Sequence, residues 1–164
     1  MSEAPPALDR FRAVIGHFPT GVAIVTTHGP TGSAGLTTNA FTSVSLEPLL
    51  VLVCFDNASR TLPVVADTAR FAVNVLSAEQ EELALVFASK RVARDKFGAV
   101  THEIVHGVPI LEGVLAWLAC DLVSLHPHGD HTVGIGRVTE MDADEEGEPL
   151  VFFRGGFARL EPRD

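Results

Sequence analysis

The chain has 164 residues, 46% hydrophobic and 20% charged, with a formal net charge of −9. Such a composition suits one folded domain with a sizeable core and excludes a disordered chain. The acidic balance disfavours nucleic acid and anionic lipid as partners, and no apolar run approaches the roughly 20 residues that span a bilayer.

Residues 1–7, rich in proline, are expected to form a flexible lead-in, with the domain proper over 8–164. No basic stretch followed by an apolar one marks a signal peptide. Leu8, Phe11, Ile15 and Phe18 recur at three- to four-residue spacing, which predicts a short amphipathic helix. Residues 21–28 form a β-branched run. The turn cluster 29–35 and the stretch 36–44 complete a predicted hairpin. LLVLVCFD, 49–56, is apolar nearly throughout and predicts a strand covered on both faces. A helix is expected over 59–68, a strand over 70–76 and the clearest helix over 77–89, with Ser77 or Glu79 near its start. Residues 90–113 read as irregular. Two long strands follow, 114–126 and 131–143. A solvated acidic loop tip comes next, and then a last strand with a Gly-Gly break. Strands joined by hairpin-length links, with no regular βαβ alternation, predict a mainly β protein: a closed or nearly closed antiparallel barrel with helices outside.

Cys54 and Cys120 sit inside apolar runs and read as buried free thiols, which suits a reducing, cytoplasmic setting. HPHGDH, 126–131, matches a dinuclear zinc signature, and imidazoles with a carboxylate do suit Zn²⁺. Zinc hydrolases with that signature need further ligands downstream, and no histidine follows His131. A hairpin tip is therefore expected and no metal is assigned, with a zinc hydrolase as the alternative. The GIG at 134–136 lacks the third glycine and the strand-to-helix setting of a dinucleotide fingerprint. There is no P-loop and no G-x-S-x-G elbow.

What remains is a neutral polar cluster. Thr37, Thr38, Asn39, Thr42, Ser43 and Ser45 offer donors and acceptors without charge. At the end of the 49–56 strand, Ser59 and Thr61 flank Arg60 at a predicted helix start, where free N–H groups, two hydroxyls and a guanidinium suit a phosphate. An ordinary N-cap serine is the alternative. One elongated ligand would use both clusters: a heterocycle with amide-like edges and a phosphate tail, as in a flavin.

At these residues the sequence resembles the flavin reductase-like family, whose members bind FMN or FAD in a split β-barrel and include the reductase components of two-component monooxygenases. The resemblance covers roughly residues 10–160. It rests on FPTGVAIVTT, GLTTNAFTSVSLEPLLVLVCFDNASRT, RFAVNVL, EELALVFAS, DKFGAV, GDHTVGIGRV and PLVFFRGGF, in that order. It implies that Thr38, Asn39, Ala40, Thr42 and Ser43 line the isoalloxazine and that Ser59, Arg60 and Thr61 hold the phosphate region. Lys96 and Phe97 become candidates for the phosphate or adenine end. Arg154 and Phe157 would lie near the ring or the nicotinamide, and His131 on the nicotinamide side. Asn74 matches as well, with a structural role at a strand end as its alternative. The family often has tyrosine where this chain has Phe157, and the chain contains no tyrosine. Stacking survives that change; a role for the hydroxyl does not.

The implied activity is NADH- or NADPH-dependent reduction of FMN or FAD by hydride transfer, with reduced flavin passed to a separate monooxygenase. A homodimer is the expected assembly. The alternative within the same fold is a flavin-binding protein with another redox or carrier role.

Overall fold

A computed structural model describes residues 7–98 and 100–161; most of the lead-in, residues 1–6, lies outside them. In chain order the elements are α1 (Leu8–Ile15), β1 (Thr20–Gly21), β2 (Ala23–Gly29), β3 (Gly32–Thr38), β4 (Phe41–Leu46), β5 (Leu49–Asp56), α2 (Thr61–Thr68) and β6 (Arg70–Val75). Then follow α3 (Glu81–Ala88), α4 (Ala93–Phe97), β7 (His102–Val105), β8 (Val108–Leu111), β9 (Ala116–His128), β10 (His131–Ala143), β11 (Val151–Phe153) and β12 (Gly156–Ala158).

Seven strands pair antiparallel in the order β3-β2-β6-β9-β10-β5-β4. The two edge strands, β3 and β4, are consecutive in sequence, and only Asn39 and Ala40 separate them. A two-residue link cannot cross the width of a seven-stranded sheet. The sheet therefore rolls up until its edges meet at that corner, where the Cys54 N–H donates to the Ala40 carbonyl at 3.0 Å. The split antiparallel barrel expected from the sequence is the observed architecture. A three-stranded sheet, β1-β11-β12, and the β7-β8 hairpin lie beside it.

Hydrophobic burial explains which strands are central. β2 packs Ala23 and Val25 into a core with Val51, Val53, Phe55, Phe71 and Val73. Its other face carries Ile24, which joins Val22, Leu76, Phe87 and Leu111 in a second core against α3. The strands covered on both faces are thus β2 and its neighbour β6, where Phe71 to Asn74 are all buried. β5, expected in that role, alternates: Val51, Val53 and Phe55 are buried, while Leu50, Leu52 and Cys54 are half-exposed. Its neighbour β4 is an edge, and among the described residues no layer covers the outer face of this pair.

Gly134 and Gly136 serve the barrel interior. A Cβ at Gly134 would lie 2.7 Å from the Phe55 ring, and one at Gly136 would collide with Phe71. The missing side chains let these two phenyl rings sit edge to face at 6.0 Å, an arrangement favoured by their quadrupoles.

Three features depart from the sequence reading. The stretch 90–113 contains α4 and the β7-β8 hairpin. Its two-residue turn is His106-Gly107, both at positive φ, 50° and 77°. HEIV–HG–VPIL does carry a hairpin signature, but strands of four residues are too short for periodicity to expose. Likewise the last strand is a hairpin, β11–β12, turning at Arg154 and Gly155, with φ of 51° and 81°. The helix expected over 77–89 begins later, at Glu81. Before it, Gln80 Oε1 accepts the Ser77 N–H at 3.0 Å and Gln80 Nε2 donates to the Glu112 carbonyl at 2.9 Å.

Helix α1 forms as its spacing predicts, yet none of its residues is buried. Phe11 is 61% and Phe18 71% exposed.

Candidate active site

A cavity of about 600 Å³ opens where the rolled sheet closes. Its walls come from β3 and the corner (Ala34 to Ala40), from Cys54 and Asp56 at the end of β5, and from Ala58 to Thr61 entering α2. The end of α3 with the following loop (Phe87 to Arg91), Ala93 and Lys96 of α4, and His131 complete them.

The corner is held by local bonds. The Thr38 hydroxyl accepts the Ala40 N–H at 3.0 Å, which fixes the turn between the edge strands. Thr37 Oγ1 donates to the Ala84 carbonyl at 2.6 Å and ties β3 to α3. Asn39 itself is exposed at the cavity.

The phosphate-like end is equally organised. The Asp56 carboxylate accepts the Ala58 N–H at 2.8 Å, and the Ser59 N–H donates to the Asp56 carbonyl at 3.0 Å. Ser59 Oγ accepts the Leu62 N–H at 3.2 Å and so caps α2, while Arg60 occupies the N-cap backbone position and stays exposed. Thr61 is buried. The Asn57 N–H donates to the Asp130 carbonyl at 3.0 Å, and Thr132 Oγ1 donates to Asn57 Oδ1 at 2.7 Å. These bonds lock the loop to the β9–β10 tip, which brings His131 to the cavity. His131 Nδ1 lies 2.8 Å from Asp130 Oδ1. That hydrogen bond, with the imidazole's charge, holds the Asp130 carboxyl below the usual range.

Lys96 joins them from α4. It is only 8% exposed. Its ammonium donates to the Phe87 carbonyl at 3.0 Å, near the C-terminus of α3, and lies 3.4 Å from the Gly35 carbonyl. Burial, and then the nearby Arg60 guanidinium, lower its pKa. Two donors go to the protein, and one of three remains for a ligand.

Charge is segregated here. The chain has 12 basic and 21 acidic residues. Arg60, Lys90, Arg91 and Lys96 line this cavity and only one carboxylate, Asp56, joins them. Among the described residues, none of the four cations forms a salt bridge; the arginine pairs are Arg70–Asp121 and Arg159–Glu79.

The structure therefore gathers Thr38, Asn39, Ala40, Ser59, Arg60, Thr61, Lys96 and His131 around one space. It places five other expected residues outside that space. Thr42 and Ser43 lie exposed on β4, past the corner. The Phe97 ring stands edge-on to Phe87 and His102, at 5.2 Å from each, and supports the wall from behind. Arg154 sits at the β11–β12 turn with its guanidinium 4.9 Å over the Phe153 ring, and Phe157 packs edge-on to Phe152 at 5.9 Å. Asn74 is fully buried and bonded to β2 and to β8, none of its partners lining the cavity. Sequence reasoning missed Cys54, Asp56, Ser89, Lys90 and Arg91. The adjacent pair Lys90-Arg91 after a helix end was the available signal.

The HPHGDH segment is a hairpin tip, as expected. His128 and His131 pair in register across Gly129 and Asp130. Among the described residues no three His, Cys, Asp or Glu side chains stand close enough to hold a metal, and no helix is long and apolar enough to cross a membrane. Cys54 and Cys120 are free thiols; burial, with Asp121 beside it, pushes the Cys120 thiol up to about 12.

A cavity that brings together an uncharged hydrogen-bonding corner and unpaired cations suits a flavin nucleotide: the corner fits amide-like ring edges and the cations fit phosphate. The comparisons agree. The family model for the flavin reductase-like domain matches residues 15–161. A flavin reductase of Pseudomonas putida is 44% identical over 90% of this chain and 86% of its own length. A flavin-dependent monooxygenase reductase subunit of Rhodococcus jostii is 41% identical over 97% of this chain and 82% of its own. Among solved structures, an NADH:FAD oxidoreductase of Streptomyces globisporus, in complex with NAD and FAD fragments, superimposes with a TM-score of 0.89. It is 37% identical, covering 98% of each chain. The chain belongs to the flavin reductase-like family.

Proposed function

We infer that the protein is an NADH-dependent flavin reductase that supplies reduced flavin to a separate monooxygenase. The observation that carries this is the convergence of the Thr38–Ala40 corner and four unpaired cations on one cavity of an otherwise acidic chain. With a flavin bound, the chemistry is hydride transfer from nicotinamide C4 to flavin N5, which leaves oxidised nicotinamide and reduced flavin.

The protein's part is approach and orientation. Thr38, the Asn39 carboxamide and the Ala40 peptide offer neutral donors and acceptors to the ring edge. Ser59, Arg60, Thr61 and the free donor of Lys96 hold phosphate. His131, oriented by Asp130, faces the nicotinamide side. Hydride transfer needs no side-chain proton at N5 to begin, so no acid–base residue is assigned. Arg60, Lys90 and Arg91 are exposed, and charge contacts screened by water are weak. That suits a flavin that enters and leaves as a substrate, as delivery to a second enzyme requires.

The decisive assay mixes the purified protein with NADH and with FMN or FAD, and follows the nicotinamide absorbance band. Flavin-dependent NADH oxidation is expected. Flavin binding without oxidation would instead assign a carrier role. Asn39→Ala should weaken flavin binding by about 1–3 kcal/mol through loss of a polar partner to the ring edge. A fluorescence titration with unchanged affinity would remove Asn39 from the site.

The active assembly is a homodimer in this reading. Leu8, Phe11, Val14 and Ile15 of α1 are exposed, and so are Val44, Leu46 and Leu49 toward the β4–β5 turn. Apolar surface of this extent on one short chain calls for cover. Sedimentation should return twice the 17.5 kDa chain mass, and a monomer at micromolar concentration would contradict it. Free thiols and a reduced nicotinamide substrate both suit the cytoplasm.

A further inference from the structure

We propose that Asn57 is a positioning residue: its carboxamide holds the backbone on both sides of His131 and so sets that imidazole at a fixed place beside the Ser59–Thr61 seat. The proposal rests on the reductase reading above, with His131 on the nicotinamide side, and adds the residue that places it.

Asn57 stands between Asp56 and Ala58, which both line the cavity, yet it does not line the cavity itself. Its polar groups turn instead to the β9–β10 tip. The N–H donates to the Asp130 carbonyl at 3.0 Å. Nδ2 donates to the Gly129 carbonyl at 3.2 Å, and Oδ1 accepts the Thr132 hydroxyl at 2.7 Å. These partners bracket His131 in sequence. Among the described residues, the Asn57 side chain has no bond within its own turn. That turn is closed by its neighbour: the Asp56 carboxylate accepts the Ala58 N–H, and the Asp56 carbonyl accepts the Ser59 N–H. A carboxamide at a turn commonly bonds the backbone two residues on; this one is bonded wholly to another segment and orders that segment.

The tip needs such a hold. The β5–β10 ladder ends at the pair Asp56–His131, so Gly129 and Asp130 reach past the last rung. The Asp130–His131 bond alone fixes little, because the Asp130 side chain is 95% and the His131 side chain 46% exposed, and pairs so open to water are weak. The imidazole therefore sits where the backbone puts it, and Asn57 sets the backbone. On its other side Asn57 leads through Ala58 into Ser59, whose hydroxyl caps α2. One residue thus ties the segment assigned to the nicotinamide to the segment assigned to the flavin phosphate. Hydride transfer demands reacting atoms about 3–3.5 Å apart, so the spacing between the two seats is a quantity the chain has to fix.

The test is kcat/KM for NADH at saturating flavin, with the flavin dissociation constant from fluorescence titration, for Asn57→Ala, His131→Ala and the double variant. Asn57→Ala should lower kcat/KM for NADH about tenfold, inside the roughly 100-fold that a small misplacement can cost. Flavin affinity should stay within about twofold of the wild type, because the Asp56 and Ser59 bonds that shape its seat remain. In the His131→Ala background the same substitution should change little, since a residue acting through His131 then has nothing left to place. Thr132→Val removes the hydroxyl on the other side of the clamp and should reproduce part of the loss. It carries the test if far-UV circular dichroism shows that Asn57→Ala does not fold. A full tenfold loss on top of His131→Ala would overturn the proposal. So would an unchanged kcat/KM in Asn57→Ala or in His131→Ala, or a loss confined to flavin affinity. A wild type without flavin-dependent NADH oxidation would sink the underlying reading rather than this one.

Discussion

Asn74→Ala is expected to destabilise the protein by about 2–4 kcal/mol, because it leaves several buried polar groups unpaired at once. Asn74 sits on β6 with no exposure. Its Nδ2 donates to the Ile24 carbonyl at 3.1 Å and to Thr26 Oγ1 at 3.0 Å, and its Oδ1 accepts the Leu111 N–H at 2.9 Å. One carboxamide thus joins β6, β2 and β8. Thr26 extends the network by donating to the Pro109 carbonyl. Asn74→Asp keeps the acceptor for Leu111 but loses both donors and buries a charge, so it should fare no better. Urea denaturation is the measurement. The folded fraction of Asn74→Ala should keep its flavin affinity, because no bond of Asn74 reaches the cavity. A wild-type midpoint with lost flavin affinity would give Asn74 a site role instead.

Arg60→Glu is expected to weaken flavin binding about tenfold, the lower end for losing a charge-assisted bond to phosphate because Arg60 is exposed, and it also sets a carboxylate against the anion. Its effect on stability should have the opposite sign. Lys96 has a lowered pKa, with burial the larger cause and Arg60 the second. A lysine whose folded pKa lies below its unfolded value costs stability wherever it is protonated, and the cost is relieved as pH rises through the folded pKa. Replacing Arg60 by a carboxylate removes the repulsion and so eases that cost near neutral pH. A variant that binds flavin worse and unfolds no sooner marks a residue placed for its ligand. Titration and thermal melting on one sample check both signs. Intact flavin affinity would take Arg60 out of the site.

The barrel was legible because each long strand carries its own signal. β2 and β6 are β-branched or alternating, β9 and β10 are thirteen residues each, and the link lengths exclude a parallel sheet. Which strand lies innermost was not legible. LLVLVCFD looks more buried than AIVTTHG by composition, but position in the sheet and the layer above decide burial. α3 covers the second face of β2, and among the described residues no layer covers the outer face of β5 beside the edge strand β4. Residues 37–45 show the same limit at the site. Their hydroxyls and amides form one polar run in sequence, yet the run breaks at Asn39–Ala40. Thr38 stays with β3 at the cavity, whereas Thr42 and Ser43 leave along the opposite edge of the sheet. Arg154 and Phe157 were named through motif likeness, and in the single chain they stand on a hairpin that does not contribute to the cavity lining. Lys90 and Arg91 went unnoticed because an exposed basic pair has no periodicity. Only the surrounding shortage of carboxylates, visible in three dimensions, gives the pair meaning.

The most direct test of the central claim is a crystal structure with FMN soaked at a few times its dissociation constant. The ring is expected against Thr38, Asn39 and Ala40, with its phosphate against Ser59, Arg60 and Thr61. Flavin density elsewhere on the molecule, with this cavity left to solvent, would contradict the account.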